Sequence, residues 1–327
     1  MPNELTDWQV GIGQKHNDLK TSANGLAAQI NIGEGNLDAA AERLKTQPDN
    51  NNFIRTVTAN LLAAQSERAL AGKNFDPARA KIAEAISLQP GNLNLALIPA
   101  RIAALENDNQ QALDTLDEVE STFGEQSAIV RARAQLLARD KRPEEAFATL
   151  ETYYEKTGDL AVLPDLIGFT RITGSGKADE YTEEWVMKAP NNPPAHLMRA
   201  DYLMQQGKEI EAVAHYESVL EQQPGNAAVM NNLAWTLREG DRNRALQLAE
   251  QAAKLAPENA PVLDTYGWIL HLDGQHRAAA EQIEKALALD PEQEEIARHL
   301  EQVQQALCAD SRERIERNGI YAGARHH

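Results

Sequence analysis

The sequence predicts an all-α chain of stacked helix pairs, an α-solenoid of about eight helix-turn-helix units. Three observations carry that prediction. Alanine and leucine dominate, aromatics make up 5% of the 327 residues, and β-branched residues are sparse, which favours helix throughout. Proline recurs at Pro190, Pro224, Pro257 and Pro291, with spacings of 34, 33 and 34. Each of the last three is preceded by an alanine twelve residues back and a small or apolar residue five back, at Ala212 and Val219, Ala245 and Ala252, and Ala279 and Ala286. A repeat of that length is one supersecondary unit that cannot bury its apolar face alone and must stack on copies of itself.

The elements follow in chain order. Residues 1–19 read as an N-terminal segment ahead of the repeats. The first unit spans about residues 20–50, with its turn at Gly33 to Asn36. The second runs to Pro90, with a lengthened first helix over about Phe53 to Leu70, because 42 residues separate Pro48 from Pro90. Ala78, Ile82 and Ala85 mark its second helix. The third turns at Asn107 to Asn109, and Ala112, Leu116 and Val119 precede Gly124. In the fourth, Ala146, Leu150 and Tyr153 precede Gly158. The fifth, about 159–190, has a shortened first helix containing Pro164 and Gly168. Units six to eight turn at Gly207-Lys208, Gly240-Asp241 and Gly274-Gln275, and place Tyr216, Ala249 and Ile283 between their marker residues. Residues 293–308 then read as a capping helix, amphipathic from Glu294 to Leu307, which keeps the last apolar face from water. Residues 309–327, Arg- and Gly-rich, read as a flexible tail.

Within each unit, alanine stands where two helices cross closely, larger residues fill the gaps, and proline starts the next unit. The whole pattern resembles the tetratricopeptide repeat (TPR) family, over about residues 20–308. The unit that carries the resemblance best is Leu263, Tyr266, Gly267, Leu270, Gly274, Ala279, Ile283, Ala286 and Pro291. The resemblance implies a right-handed superhelix over residues 20–292 and a role in binding other proteins.

Charge and motifs narrow the function. The formal net charge is -17, and residues 101–300 carry 35 acidic against 19 basic side chains. That balance repels phosphate backbones, so neither nucleic acid nor an anionic membrane surface is an expected partner. No apolar run is long enough to span a bilayer, and the single cysteine, Cys308, excludes an internal disulfide framework. Gly174-Ser175-Gly176-Lys177 lacks the spacing of a phosphate loop and falls at an inter-helix turn. His271 and His276, five residues apart, read as lying on different helix faces and so as no metal pair. Glu144-Glu145 and Glu183-Glu184 are adjacent carboxylates on exposed faces. No enzyme activity, cofactor or metal is expected.

What remains is a binding surface. The TPR resemblance implies that the first helix of each pair lines a concave groove. Mapping its groove positions gives Asp201 and Met204 from the sixth unit, Asn231, Trp235 and Arg238 from the seventh, and Asp264, Trp268 and His271 from the eighth. Arg298 and Gln302 follow from the capping helix. Two of the four tryptophans thus take equivalent positions one unit apart. Aromatics beside Arg and Asn suit a protein-binding hot spot; the other reading has both indoles bracing neighbouring first helices. The expected ligand is a neutral or basic protein segment, and self-association of terminal repeats stays open. The slots that hold Lys, Asn and Arg in co-chaperones gripping heat-shock-protein tails contain Leu197, Asp201, Asn232, Pro261 and Thr265, of which only the asparagine fits.

A narrower resemblance rests on Glu184-Trp185, Pro190-Asn191-Asn192, His215-Tyr216-Glu217, Asn231-Asn232-Leu233-Ala234-Trp235 and Leu263-Asp264-Thr265-Tyr266-Gly267-Trp268. These strings look like the C-terminal part of the exosortase-associated (PEP-CTERM system) TPR-repeat lipoproteins. That resemblance implies partners in bacterial exopolysaccharide or envelope assembly and a lipoprotein signal upstream. Met1 to Lys20 has no basic stretch followed by an apolar one, so the chain as numbered reads as cytoplasmic. The alternatives are a cytoplasmic adaptor or co-chaperone, and a regulatory domain of a larger enzyme.

Overall fold

The computed structural model describes residues 3–47 and 51–323. Every regular element among them is helical, and they divide into two compact units, residues 1–174 and 175–327.

The first unit pairs α1 (Asn3–Gly33) with α2 (Leu37–Leu44), α3 (Asn52–Ala71) with α4 (Phe75–Leu88), and α5–α6 (Leu93–Ala96, Ile98–Leu105) with α7 (Asn109–Phe123). Then come α8 (Ser127–Arg139), α9 (Pro143–Thr157), a 3-10 turn at Leu160–Val162 and α10 (Leu163–Thr173). The second unit opens with α11 (Ala178–Lys188) and pairs α12 (Pro193–Gln205) with α13 (Glu209–Gln222), α14 (Ala227–Leu237) with α15 (Arg242–Leu255), and α16 (Ala260–Leu272) with α17 (His276–Leu289). It ends in α18 (Glu294–Gly323).

The boundaries have local causes. Two residues after Pro90, Pro190, Pro224 and Pro257 stands an asparagine, and Asn92, Asn192, Asn226 and Asn259 each accept a backbone N–H of the following first helix on their side-chain oxygen. Each cap satisfies a donor that the helix start leaves free. Two of the turns within pairs in the second unit use one left-handed residue, Gly207 (φ 70°) and Gly274 (φ 81°), while the α14–α15 turn through Gly240 does without one. In the first unit Lys73, Asn107 and Lys141 adopt that conformation despite their side chains. Where a shortened first helix was expected, α10 has the same 11 residues as α14, and it starts with Pro164 in its first turn, behind the 3-10 turn.

The expected marker alanines are the closest-packed points of the fold. Ala78, Ala112, Ala146, Ala212, Ala245 and Ala279 are all fully buried. Ile82, Leu116, Leu150, Tyr216 and Ile283, one turn further on, are buried beside them and fill the space between helices. Trp185 is buried as well, inside the second unit.

Two boundaries differ from the sequence reading. Helix α1 begins at Asn3, within the segment expected to precede the repeats. Helix α18 runs to Gly323, through most of the segment expected to be a flexible tail beyond 308. A helix with few apolar residues still makes its own backbone hydrogen bonds, and apolar periodicity does not reveal it. Pro48 and residues 324–327 lie outside the described residues. Among the described residues no helix is long and apolar enough to cross a membrane.

Candidate functional site

The second unit holds a cavity of about 390 Å³ lined by first helices α12, α14 and α16, by Tyr216 of α13, and by the start of α18. Its walls are Met204, Tyr216, Asn231, Asn232, Trp235, Pro261, Asp264, Thr265, Gln293, Glu295, Ile296 and His299. Carboxylates stand among these side chains and no lysine or arginine does. The register explains the lining. Asn231 and Asp264 stand seven residues after Pro224 and Pro257, Asn232, Thr265 and His299 eight after Pro224, Pro257 and Pro291, and Trp235 eleven after Pro224.

The predicted residues divide into two sets. Met204, Asn231, Trp235 and Asp264 line the cavity. Asn231 donates to the side-chain oxygen of Asn232 at 3.4 Å, while its own Oδ1 is buried without a partner. The Thr236 hydroxyl donates to the Met204 sulfur at 3.3 Å. Asp264 is 8% exposed and accepts from Nδ1 of His299 at 2.9 and 3.0 Å. That bond anchors the His299 ring against the groove wall.

The other predicted residues support rather than line. Asp201 accepts the Tyr216 hydroxyl at 2.8 Å. Burial pushes the Asp201 carboxyl above its ordinary value although this bond pulls it down, and burial with the Asp201 charge pushes the Tyr216 hydroxyl up. Arg238 lies with its guanidinium 4.4 Å from the Trp235 ring centre and donates to the Trp235 carbonyl at 2.6 Å and to Glu209 at 3.3 Å. It therefore covers part of that indole with a cation. Trp268 stacks on two imidazoles, His299 at 4.3 Å and His271 at 5.1 Å between ring centres. Arg298 and Gln302 are exposed on α18, and Arg298 reaches back to the Glu294 carbonyl at 3.4 Å.

The sequence reading missed His299, which touches Asp264 and Trp268 and sits 6.3 Å from the Trp235 ring. The reading assigned the groove face of α18 one residue early, to Arg298. The signal was present: His299 occupies the position of Asn232 and Thr265, counted from the preceding proline. His271 and His276, whose spacing suggested two faces of one helix, do not lie on one helix. His271 ends α16 and His276 begins α17, so their Nδ1 atoms meet across the turn at 3.0 Å. Burial first, then His276 and His299, hold the His271 imidazole below its ordinary value. No group of three or more His, Cys, Asp or Glu positioned for a metal ion occurs among the described residues.

Comparison with known proteins agrees with this architecture. The tetratricopeptide repeat model matches residues 260–293, the α16–α17 pair with its flanking caps. Yeast Tom70 superposes with a TM-score of 0.55 at 17% identity, over 88% of this chain and 61% of that one. Cut9-Hcn1, an APC/C hetero-tetramer, gives 0.51 at 12% identity, over 90% and 74%. Residues 260–293 form a tetratricopeptide repeat, and the fold around them is that of tetratricopeptide-repeat proteins. YrrB, described as a TPR protein with an unusual peptide-binding site, is similar over 57% of this chain and 97% of its own, with a TM-score of 0.48 and 16% identity. No curated protein sequence is detectably similar.

Proposed function

We propose that this chain is a non-catalytic interaction scaffold whose second unit holds a neutral or basic protein segment in the groove between α12, α14, α16 and α18. The observation that carries the reading is the composition of the cavity wall. Trp235, Ile296 and Met204 offer apolar contact, Asn231 and Asn232 offer amides to an extended backbone, and Asp264 and Glu295 supply negative charge. Buried aromatics with a few convergent polar groups are the composition of interface hot spots.

The geometry separates the two tryptophans. Trp268 stacks on the imidazoles of His271 in α16 and His299 in α18, while Trp235 lines the cavity. That arrangement supports a reading in which Trp235 is the contact residue and Trp268 its support. A tie to envelope exopolysaccharide assembly rests on the sequence strings alone and is tested by the same experiment. Affinity capture from separated soluble and envelope fractions is compared between the wild type and Trp235→Ala. Proteins retained by the wild type and lost in the variant, with helicity unchanged, are the expected result. An identical set from both forms overturns the groove assignment.

A further inference from the structure

The first unit carries a second cavity of about 390 Å³, which no prediction above assigns. That volume falls in the range of ligand pockets, roughly 300–1,000 Å³. Its walls come from α5 and α6, from the middle and end of α8 (Ala132, Gln135, Leu136 and Arg139), and from Leu116 of α7. Leu97, Ile98 and Leu136 make the apolar surface, Arg101 and Arg139 carry the charge, and no aspartate or glutamate lines it.

The two cavities share one register. Arg101 stands eleven residues after Pro90, and Gln135 eleven after Gly124, the position that Trp235 takes after Pro224. Leu97 and Ile98 hold the seventh and eighth positions, where the second unit places Asn231 and Asn232. The surface that is acidic and aromatic in the second unit is here aliphatic and cationic.

The cations are available. Arg139 is exposed, donates to the neutral Asn107 side chain at 3.2 Å, and makes no ion pair among the described residues. Arg101 pairs with Glu67, and both side chains are about half exposed, so the pair is weak and readily exchanged for another carboxylate. Asp165, the nearest carboxylate on the Gln135 side, is already held by Arg131.

We propose that this groove binds a second partner, an extended peptide segment that places a large aliphatic or aromatic side chain in the cavity and an Asp or Glu on Arg139 and Arg101. It is a site separate from the groove of the second unit, and takes a ligand of opposite charge. Charge complementarity selects the occupant, and the formal net charge of -17 makes the selection informative. A chain that acidic repels acidic peptides in general, so retention of one requires a local cationic site.

The test pans a random dodecapeptide phage library against the full chain, then measures the recovered peptides by fluorescence anisotropy. The expected result includes a family with Asp or Glu within three residues of Leu, Ile, Phe or Met. Its affinity falls at least tenfold in Arg139→Glu, is largely kept in Arg139→Lys, weakens between 50 and 300 mM salt on the order expected for partly exposed charges, and is unchanged in Asp264→Asn. Absence of that family overturns the proposal. So does an acidic family that binds Arg139→Glu within about twofold of wild type with helicity retained. Loss of binding in Asp264→Asn would move the site to the other unit and equally overturn it. Because Arg139 is exposed, the charge reversal leaves the packed core untouched.

Discussion

Gly267→Ala is the substitution for which the structure gives the sharpest sign. Gly267 lies in the middle of α16 at its closest approach to α17. A Cβ there would meet Ile283 Cγ1 at 2.5 Å, the Ala279 carbonyl oxygen at 3.0 Å and Ile283 Cδ1 at 3.2 Å. Carbon atoms at their optimum are about 3.5–4.0 Å apart, so α17 or the Ile283 side chain must give by roughly 1 Å. Neither yields cheaply, because Ile283 is fully buried and the second obstacle is backbone. Helix propensity alone would favour alanine by about 1 kcal/mol, while overpacking a closed core costs about 1–3 kcal/mol. With a backbone contact involved the upper part of that range applies, and the net expectation is a loss of about 1–2 kcal/mol. Ile283→Ala alone removes the obstructing atoms but opens a cavity, at about 2–5 kcal/mol. In the double variant the new methyl occupies part of that space, so its cost falls below the sum of the two single costs by about 1 kcal/mol. Urea unfolding followed by circular dichroism and tryptophan emission measures all three, with the two probes compared because the two units need not unfold together. A Gly267→Ala protein as stable as wild type, or more stable by the propensity gain, would refute the close-approach argument.

Three further outcomes follow from the groove. Trp268→Ala removes the ring stacked on His271 and His299 and lowers stability by roughly 1–3 kcal/mol, whereas Trp235→Ala lowers partner binding with a smaller stability loss; thermal unfolding and capture distinguish the two. His271 has its folded-state pKa held below the ordinary 6.5, chiefly by burial, so the unfolded chain binds its proton first. Its contribution is complete above about pH 6.5 and is lost as pH falls from there toward the folded-state value; imidazole NMR titration should show His271 protonating below 6.5. Tyr216→Phe removes the hydroxyl that Asp201 accepts at 2.8 Å and that restrains the upward push of burial. It should raise the Asp201 pKa further and cost about 1–2 kcal/mol near neutral pH, with less loss near pH 3, where the carboxyl is protonated; unfolding at both pH values provides the comparison.

The repeat was legible because its cause is short-ranged. Ala212, Ala245 and Ala279 recur where a helix crossing leaves room for a methyl group, and the glycines at 207 and 274 recur where a turn needs positive φ. Each is a local requirement that the chain meets by choosing a residue type, so spacing alone reveals it. Met204, Asn231, Trp235 and Asp264 were legible for the same reason, being groove positions counted along one helix. His299 was not, because α18 has no succeeding pair to fix its rotation by pattern, and a one-residue error turns a helix face by about 100°. The His271–His276 contact was hidden by a different feature. Two residues five apart are distant around a single helix, but here the helix ends between them and the turn folds one ring onto the other.

The same division explains how one fold carries two unlike grooves. In each unit the positions ten residues after the proline or its equivalent, Ala100, Ala134, Ala200 and Ala234, are buried and small, since a neighbouring helix passes over them. The next position along is not enclosed by packing, and is Arg101, Gln135, Asp201 or Trp235, whose partners on other helices are polar or absent from the core. Packing therefore constrains one residue tightly and leaves the adjacent one free to differ in size and charge. Asp201 shows what that freedom requires when the side chain is half-buried: a partner from the second helix, here the Tyr216 hydroxyl. Arg101 and Arg139 remain exposed and need no such partner from the core. A groove whose sign is set at positions without a packing role can be rewritten without unfolding the repeat. Arg139→Glu in the first unit should accordingly change which peptides bind in that groove, while the helical content stays that of the wild type.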